Sequence, residues 1–424
     1  MNQFTYKTFL SHHISQIKKE GGVAINRKLR KLPVAIMWLP IIIILSPIVL
    51  IIRLIKPIVW IRFGYFWAER IGHFVFDVEY FLTEKKLDIN PQRTFDLFFY
   101  DGKPANNFFG KLAKRYMKIT SWCKPLYITN RLIPGGSKHT LLPAIRRMDS
   151  RDKKLLFKRI KPQVSFNHEE NISGLEYLKM IGLKGKDKFV CLIARDSAYL
   201  SKNHGKLDYS YHNYRDTNIE DYKDTVLYLA DKGYWVFRMG KTVHKTFDIS
   251  HSKVVDYANS ENRSDFLDIW LMANCFFCIS NGTGLDEVSR IFRKPAVYVD
   301  YLPFNVLVTY DQCITVPKHL IWKDTNKPLN LSEHLIHDYG RSETYDKAGI
   351  LIRDLSPKEK KQAVLEMEKR LNGTWRSTNL DENLNNRFWG LLKSHKTFHK
   401  YHGEIHPESR VGAHFLRNNS EWLN

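Results

Sequence analysis

The sequence predicts an α/β protein with two doubly wound domains that face a cleft. Short apolar segments alternate with amphipathic segments of helical spacing, first over 58–104 and again over 188–300. The chain has 424 residues, which is enough for two or three domains with full-sized cores. Both observations favour parallel sheets covered by helices.

The first half opens with a strand–helix–strand pattern. We expect a strand over 58–64, a helix over 69–86 and a second strand over 95–104, which ends at Asp-Gly and Pro. Two helices are predicted in the basic region that follows, over 141–148 and 152–160.

The second half repeats the alternation more clearly. Gly233 ends the helix predicted over 219–233, and Ser264 can cap the next helix. Strands are expected over 188–195, 234–240, 253–258, 275–280 and 295–300, and helices over 219–233, 264–274 and 285–292. The predicted segments are a basic, membrane-associated segment 1–56, α/β domains 57–175 and 176–355, and a helical extension 356–424.

The positive charge is concentrated in two regions. Of the net +22, residues 1–62 supply +9 (10 Lys/Arg, one acid) and residues 101–163 supply +13 (16 Lys/Arg, 3 acids). No helix-turn-helix, zinc-finger or RNA-binding aromatic signature accompanies this charge, so nucleic acid is not the expected partner. An anionic membrane surface explains the same distribution.

An uncharged apolar segment covers 33–52 and is about long enough to span a membrane. Its length and the missing cleavage site argue against a signal peptide, and the basic flank before it predicts a cytoplasmic N-terminus. Pro40 and Pro47 interrupt it, so a re-entrant or interfacial helix competes with a true span. A buried core helix is the remaining alternative.

The five cysteines indicate a reducing compartment. Cys275 and Cys278 form a CxxC, but Phe276 and Phe277 lie between them and no second pair exists. Core packing is therefore favoured over a zinc or redox site.

Candidate site residues follow the predicted strands, where open α/β sheets bind ligands. Two basic residues, Arg238 and Lys241, stand at the carboxyl end of one predicted strand. The segment "SNGTG" (280–284) joins another strand to a helix. Gly-rich turns of this kind bind phosphate, although many are purely structural. Asp286 and Glu287 could contact ribose hydroxyls or complement the helix dipole. The candidates at this rim are Arg195, Ser197, Arg238, Lys241, Ser280, Thr283, Gly284, Asp286 and Glu287.

Two further stretches are candidates. "DYSYHNYRDTN" (208–218) contains Tyr211, His212 and Arg215, which could bind a sugar or a base; the alternative is an exposed turn. His73 and Asp77 are four residues apart on a predicted helix. That spacing lets a carboxylate orient an imidazole that removes a proton from a hydroxyl, although such a His is usually a surface residue.

The ordered series "RDSAYL", "YHNYRD", "GYWVFRMGK", "DYANSENRSDFLDIWL", "ISNGTGLDEVSRIFRKP" and "FLRNNSEWL" resembles the motifs of a family of bacterial glycosyltransferases found among surface-polysaccharide genes. The resemblance runs from about residue 58 to the C-terminus. It implies a GT-B-like fold of two Rossmann-like domains, in which 57–175 holds the acceptor and 176–355 holds the nucleotide sugar. By position, the donor diphosphate would contact Arg195, Arg238, Lys241, Thr283 and Gly284, and His73 would face the acceptor. The glycine-rich loop usual after the first strand is replaced by "GYFWAERIGH".

The expected function is transfer of a sugar from a nucleotide-sugar donor to a hydroxyl of a membrane-associated glycan or lipid-linked acceptor in surface-polysaccharide biosynthesis. No cofactor and no metal are expected, since no DxD motif follows a strand. The expected location is the bacterial inner membrane with cytoplasmic catalytic domains. Alternatives are a sugar-nucleotide 2-epimerase and a non-catalytic membrane-anchored assembly subunit with a degenerate transferase fold.

Overall fold

The computed structural model describes residues 32–89, 94–147, 151–196, 210–243 and 245–424. The chain divides into two compact units. The first comprises 118–141 with the described residues up to Tyr65 and those over 94–99; the second comprises the rest. This division differs from the predicted segments because the α/β half expected over 57–175 is shared between both units.

Most of a four-stranded sheet belongs to the first unit, in the order β3-β2-β1-β4, with β2–β3 and β1–β4 parallel. Apolar side chains of β1 and β2, including Phe63 and Leu97, pack with Cys123 and Val49 in one buried cluster. The strands are β1 (Trp60–Trp67), β2 (Thr94–Asp101), β3 (Lys118–Ile119) and β4 (Thr140–Leu141).

Helix α1 (Leu32–Leu54) coincides with the apolar segment, and α4 (Cys123–Leu132) packs against it. Arg53, at the end of α1, donates hydrogen bonds to the carbonyl oxygens of Asn130 and Pro134, at 2.7 and 2.6 Å. These hydrogen bonds attach the end of α1 to the C-terminal end of α4. Among the described residues, no helix is both long enough and apolar enough to cross a membrane.

A seven-stranded sheet forms the centre of the second unit, in the order β13-β10-β9-β8-β5-β6-β7, and every neighbouring pair is parallel. The predicted βαβ series is thereby confirmed as a parallel α/β sheet. Its strands are β5 (Phe189–Leu192), β6 (Trp235–Arg238), β7 (Val254–Val255), β8 (Phe277–Ser280), β9 (Ala296–Tyr301), β10 (Cys313–Pro317) and β13 (Ser409–Val411). A separate antiparallel pair consists of β11 (His319–Trp322) and β12 (Ile350–Arg353).

The helices begin where the sequence supplies capping side chains. Ser264 accepts a hydrogen bond from the Leu267 N–H, as predicted, and Ser356 and Thr378 form complete capping boxes. The helices of the second unit are α2 (Ile71–Lys86), α3 (Asn107–Tyr116), α5 (Ala144–Arg147), α6 (Leu156–Arg159), α7 (His168–Met180), α8 (Lys223–Asp231), α9 (Asp265–Asn274), α10 (Asp286–Ile291), α11 (Leu331–Ile336), α12 (Ser342–Lys347), α13 (Pro357–Leu371), α14 (Asn379–Ser394), α15 (Phe398–Tyr401) and α16 (Ala413–Asn418).

Two elements depart from the sequence-based expectation. The helices predicted over 141–148 and 152–160 are single turns, α5 and α6. The segment expected as a helical extension supplies the edge strand β13, and Trp422 and Leu416 lie in the core of the seven-stranded sheet. All five cysteines are free and buried, which agrees with the packing role expected for Cys275 and Cys278.

Candidate functional site

A cavity of about 490 Å³ opens at the carboxyl ends of β5, β6 and β8. Because β5 lies between β6 and β8, the chain builds one side of the sheet from β5 and later returns to build the other. Loops that leave such a switch point diverge, and the crevice between them is where open α/β sheets bind ligands. The loops after all three strands line this cavity, together with Arg70, Gly72 and His73 around the start of α2.

The Gly-rich turn after β8 is held in shape by Asp286. One Asp286 oxygen accepts hydrogen bonds from the Ser280 hydroxyl (2.7 Å) and the Thr283 N–H (2.8 Å). Gly282 has φ +79°, a left-handed conformation that favours glycine. One carboxylate oxygen of Asp286 therefore fixes the turn, which is a role that was not predicted for it from the sequence.

Asn281 and Arg215 join this turn to neighbouring loops. The Asn281 side chain donates to the Arg215 carbonyl oxygen (2.6 Å) and accepts from the Arg195 N–H (3.1 Å). The Arg215 guanidinium donates to the Gly282 carbonyl oxygen. Arg195 forms an ion pair with Asp216. These contacts bring two predicted site arginines to the rim of the Gly-rich turn.

Lys241 lies in the loop that follows β6 and lines the cavity. Its ammonium donates to the Ala105 carbonyl oxygen at 2.8 Å and lies 3.4 Å from the Asp265 carboxylate. The side chain is partly exposed, so its charge can reach an anion in the cavity. Lys241 thus lies in the cavity, as the sequence predicted.

His73 also lines the cavity, at the first turn of α2. Its ring stacks on Trp67 with centroids 5.4 Å apart. Burial and the charges of Arg70 and Arg151 lower the pKa of His73 to about 4. The imidazole is consequently neutral at physiological pH and can accept a proton.

Asp77 does not form the predicted pair with His73. One of its oxygens accepts the Ala144 N–H at 2.9 Å, and the other has no hydrogen-bond partner among the described residues. Burial raises the pKa of Asp77 to about 7. The i,i+4 spacing placed both residues on α2, but Asp77 faces the start of α5 and not the imidazole.

Arg238 is also placed differently from the prediction. Its side chain is 1% exposed, pairs with Asp256 at 3.0 Å and does not line the cavity. As the last residue of β6, it lies within the sheet layer, and the exposed loop begins only after it. Arg238 instead lines a second cavity of about 350 Å³, which shares Ala194 and Asp196 with the first.

The remaining predicted residues divide into three groups. Thr283, Gly284 and Glu287 line the cavity, whereas Ser280 is buried beneath the turn. Tyr211 does not line it, and Arg341 lies over its ring at 4.7 Å. Ser197 and the side chain of His212 lie outside the described residues.

The cavity residues that were not predicted from the sequence include Arg70, Arg151, Arg290 and Tyr298. Arg70 precedes α2 in "ERIGH", and Arg290 follows Glu287 by three residues, so both stood next to residues already selected. Arg151 belongs to the basic region that we assigned to lipid. Tyr298 lies in the middle of β9, where a search of strand ends does not look.

Three arginines of the cavity, Arg70, Arg151 and Arg215, have no carboxylate partner among the described residues. Their charges are available to an anionic ligand. A guanidinium presents a planar fork of N–H donors that matches phosphate oxygens. The cavity is therefore suited to an extended anion such as a diphosphate.

No family model and no curated protein match the chain. The glycosyl transferase family 9 structure from Veillonella parvula DSM 2008 matches with 11% identity and a TM-score of 0.40, over 61% of this chain and 86% of that one. The E. coli ADP-heptose lps heptosyltransferase II matches with 11% identity and a TM-score of 0.38, over 73% and 100%. TibC, an iron-containing glycosyltransferase of enterotoxigenic E. coli H10407, matches with 12% identity and a TM-score of 0.31, over 58% and 59%. Because the similarity is this distant, we base the functional proposal on the cavity.

Proposed function

We propose that this protein is a glycosyltransferase that moves a sugar from a nucleotide-sugar donor to an acceptor hydroxyl. The observation that supports this most directly is the cavity at the switch point of a parallel sheet, where Arg70, Arg151 and Arg215 have no carboxylate partner in the described part of the chain. A nucleoside diphosphate suits such a cavity in size and charge. The Thr283 hydroxyl adds a polar group that has no protein partner among the described residues.

The residues around the cavity allow a simple transfer mechanism. The bond between the anomeric carbon and the diphosphate oxygen breaks, and a bond from that carbon to the acceptor oxygen forms. The acceptor proton passes to the neutral imidazole of His73. The arginines and Lys241 stabilise the negative charge that develops on the leaving diphosphate.

These cations supply the charge that a metal ion supplies in other transferases, so the proposed reaction needs no metal or other cofactor. We expect the rate to stay within about twofold when EDTA is added, because guanidinium donors can neutralise phosphoryl oxygens directly. A loss of activity that added divalent metal restores would contradict this part of the proposal.

We further propose a GT-B-like arrangement, a membrane-associated glycan or lipid-linked acceptor of surface-polysaccharide biosynthesis, and a site of action at the cytoplasmic face of the bacterial inner membrane. Support comes from the apolar residues that α1 exposes, among them Ile43, Ile44 and Leu54. The excess of basic residues over 1–62 is complementary to anionic lipid.

The test is a binding screen with the full chain. UDP, GDP, ADP, dTDP and CMP, each with a matching sugar conjugate, are added in thermal-shift experiments. A ligand present at 100 times its Kd stabilises the fold by about 2.7 kcal/mol. We expect one nucleotide series to raise Tm, and Arg215→Ala or Lys241→Ala to weaken its binding about tenfold or more.

Lys323→Ala is the matched control, because Lys323 also pairs with an aspartate, Asp346, but does not line the cavity. If no nucleotide or sugar conjugate binds, the proposal is overturned. Conversion of the donor to a stereoisomer without any acceptor would instead identify an epimerase. Sugar-nucleotide binding that survives both substitutions would favour a binding subunit.

A further inference from the structure

The end of the cavity beside α10 contains buried polar atoms that have no hydrogen-bond partner within the part of the chain that the structure describes. Buried donors and acceptors in folded proteins nearly always have partners, so a cluster of exceptions requires an explanation. All belong to side chains that line the same cavity. They are Thr283 Oγ1, Asp286 Oδ1, Glu287 Oε1, Arg290 Nε and Tyr298 OH, and the Nε of Arg215, which lines the same cavity, also has no partner among the described residues.

The surrounding contacts hold these groups in place. Arg290 pairs with Glu287 and donates to the Tyr310 hydroxyl at 2.8 Å. The second oxygen of Asp286 is used by the Gly-rich turn. Tyr298 is 0% exposed and Glu287 is 8% exposed. The unpaired atoms therefore belong to a fixed, desolvated surface and not to mobile side chains.

The chemistry of these atoms differs from that of the cationic part of the cavity. Carboxylate oxygens accept hydrogen bonds, the Arg290 Nε–H donates, and the two hydroxyls do both. A phosphate offers acceptors, so it is poorly matched to Asp286 and Glu287. Sugar hydroxyls both donate and accept, so they match all five groups.

We propose that this end of the cavity, formed by Thr283, Asp286, Glu287, Arg290 and Tyr298, binds the hydroxyls of the transferred sugar and selects a neutral sugar over an acidic one. This subsite rests on the proposed glycosyltransferase function. It adds the substrate class, which the cationic part of the cavity does not define.

The selectivity follows from the local charges. Asp286 and Glu287 share one guanidinium, that of Arg290. A third carboxyl, Asp311, is close enough to raise the pKa of Glu287, which burial brings to about 8. At that pKa the Glu287 carboxyl is mostly protonated at pH 7, so this buried environment disfavours a charged carboxylate. The carboxylate of a uronic acid would lose its hydration there, whereas a hydroxymethyl group has no charge to desolvate.

The experiment compares two dissociation constants by calorimetry: that of the nucleoside diphosphate identified by the screen and that of its neutral sugar conjugate. Tyr298→Phe removes a hydroxyl that has no hydrogen-bond partner among the residues described, so the variant should fold normally. We expect its diphosphate Kd to stay within about twofold, while the Kd of the sugar conjugate rises about three- to tenfold. Glu287→Gln should show the same pattern with a larger effect, about tenfold or more.

Tyr345→Phe is the matched control, because Tyr345 is buried but does not line the cavity. Competition by glucose 1-phosphate and glucuronic acid 1-phosphate measures the selectivity. The neutral compound should compete better in the wild type.

Unchanged sugar-conjugate affinity in Tyr298→Phe and Glu287→Gln, with intact diphosphate binding, would overturn the sugar subsite alone. Equal competition by the two sugar phosphates in the wild type would overturn its selectivity. If no diphosphate binds to the wild type, the proposed function fails, and the subsite fails with it.

Discussion

The protonation of His73 gives a test at the scale of a single residue. Burial, Arg70 and Arg151 lower its pKa to about 4, so the basic form exists above pH 4 and is lost as the pH falls through that value. In the free enzyme, kcat/KM should therefore decline near pH 4 and not near 6.5, the usual histidine value. In Arg151→Ala, one of the neighbouring charges is gone, and the acid limb should move toward 6.5.

NMR of the imidazole provides the check that does not depend on activity. The His73 ring should remain neutral at pH 5 in the wild type. His73→Ala should abolish turnover while the donor still binds. An acid limb at 6.5 in both the wild type and Arg151→Ala would contradict the assigned environment.

Asp77 allows the predicted His73–Asp77 pair to be tested directly. In Asp77→Asn, the amide oxygen can still accept the Ala144 N–H, and a buried titrating group is removed. Because the pKa of Asp77 is raised to about 7 by burial, the wild type loses stability as pH rises from about 4 to 7. The stability gain of the variant should grow over that range and then stay constant, at about 1–3 kcal/mol. Denaturant titrations at pH 4, 6 and 8 measure this difference in stability. A large fall in kcat in Asp77→Asn would instead show that Asp77 orients His73.

At the scale of elements, the start of α2 touches the Gly-rich turn. A Cβ added to Gly72 would lie 3.0 Å from Gly284 Cα, and one added to Gly284 would lie 3.2 Å from Gly72 N. Both distances are shorter than most contacts of a Cβ atom, so a side chain at either position would require the neighbouring backbone to shift by a few tenths of an ångström. We expect Gly72→Ala to displace α2, to destabilise the fold by about 1–3 kcal/mol and to weaken donor binding about tenfold.

Gly390→Ala serves as its control. Gly390 lies inside α14, and a Cβ there would have no neighbour within 4 Å. Alanine at that position should stabilise the helix by about 0.5–1 kcal/mol and leave donor binding unchanged. Thermal unfolding and calorimetry measure the stability and the donor affinity of both variants. Equal effects of the two substitutions would show that the contact between α2 and the turn contributes nothing to donor binding.

Local patterns predicted most elements of the parallel sheet, because strand and helix periods and caps such as Ser264 are encoded over short distances. They did not predict the partners of side chains. The sequence correctly predicted that His73 and Asp77 lie on one helix. However, the neighbouring α5 determines what Asp77 contacts. Similarly, Tyr298 reaches the cavity from within a strand, and only the packing of β8 beside β9 places it there.

At the scale of the whole molecule, local patterns also failed to predict pairings between distant parts of the chain. Residues 409–411 pair with β10 across almost a hundred residues of sequence, and the following Phe415 and Trp422 complete the core. No local pattern distinguishes these residues from a peripheral helical extension. Arg151 illustrates the point for the site: charge counting grouped it with a lipid-facing region, whereas the fold places it in the cavity.

The apolar surface of α1 provides the last prediction. While Val49 packs inward, Leu54 is 77% exposed and Ile58, just beyond the helix, is 80% exposed. If this surface contacts a bilayer, the double variant Ile44→Asn/Leu54→Asn should lose about 3 kcal/mol of membrane affinity, or about 100-fold in partition coefficient. Sedimentation with vesicles of phosphatidylcholine and phosphatidylglycerol measures it, and binding should weaken with added salt because basic residues contribute. Ile336→Asn is the control, since Ile336 is exposed in the second unit. Equal partition of the wild type and the double variant would remove α1 from the membrane contact.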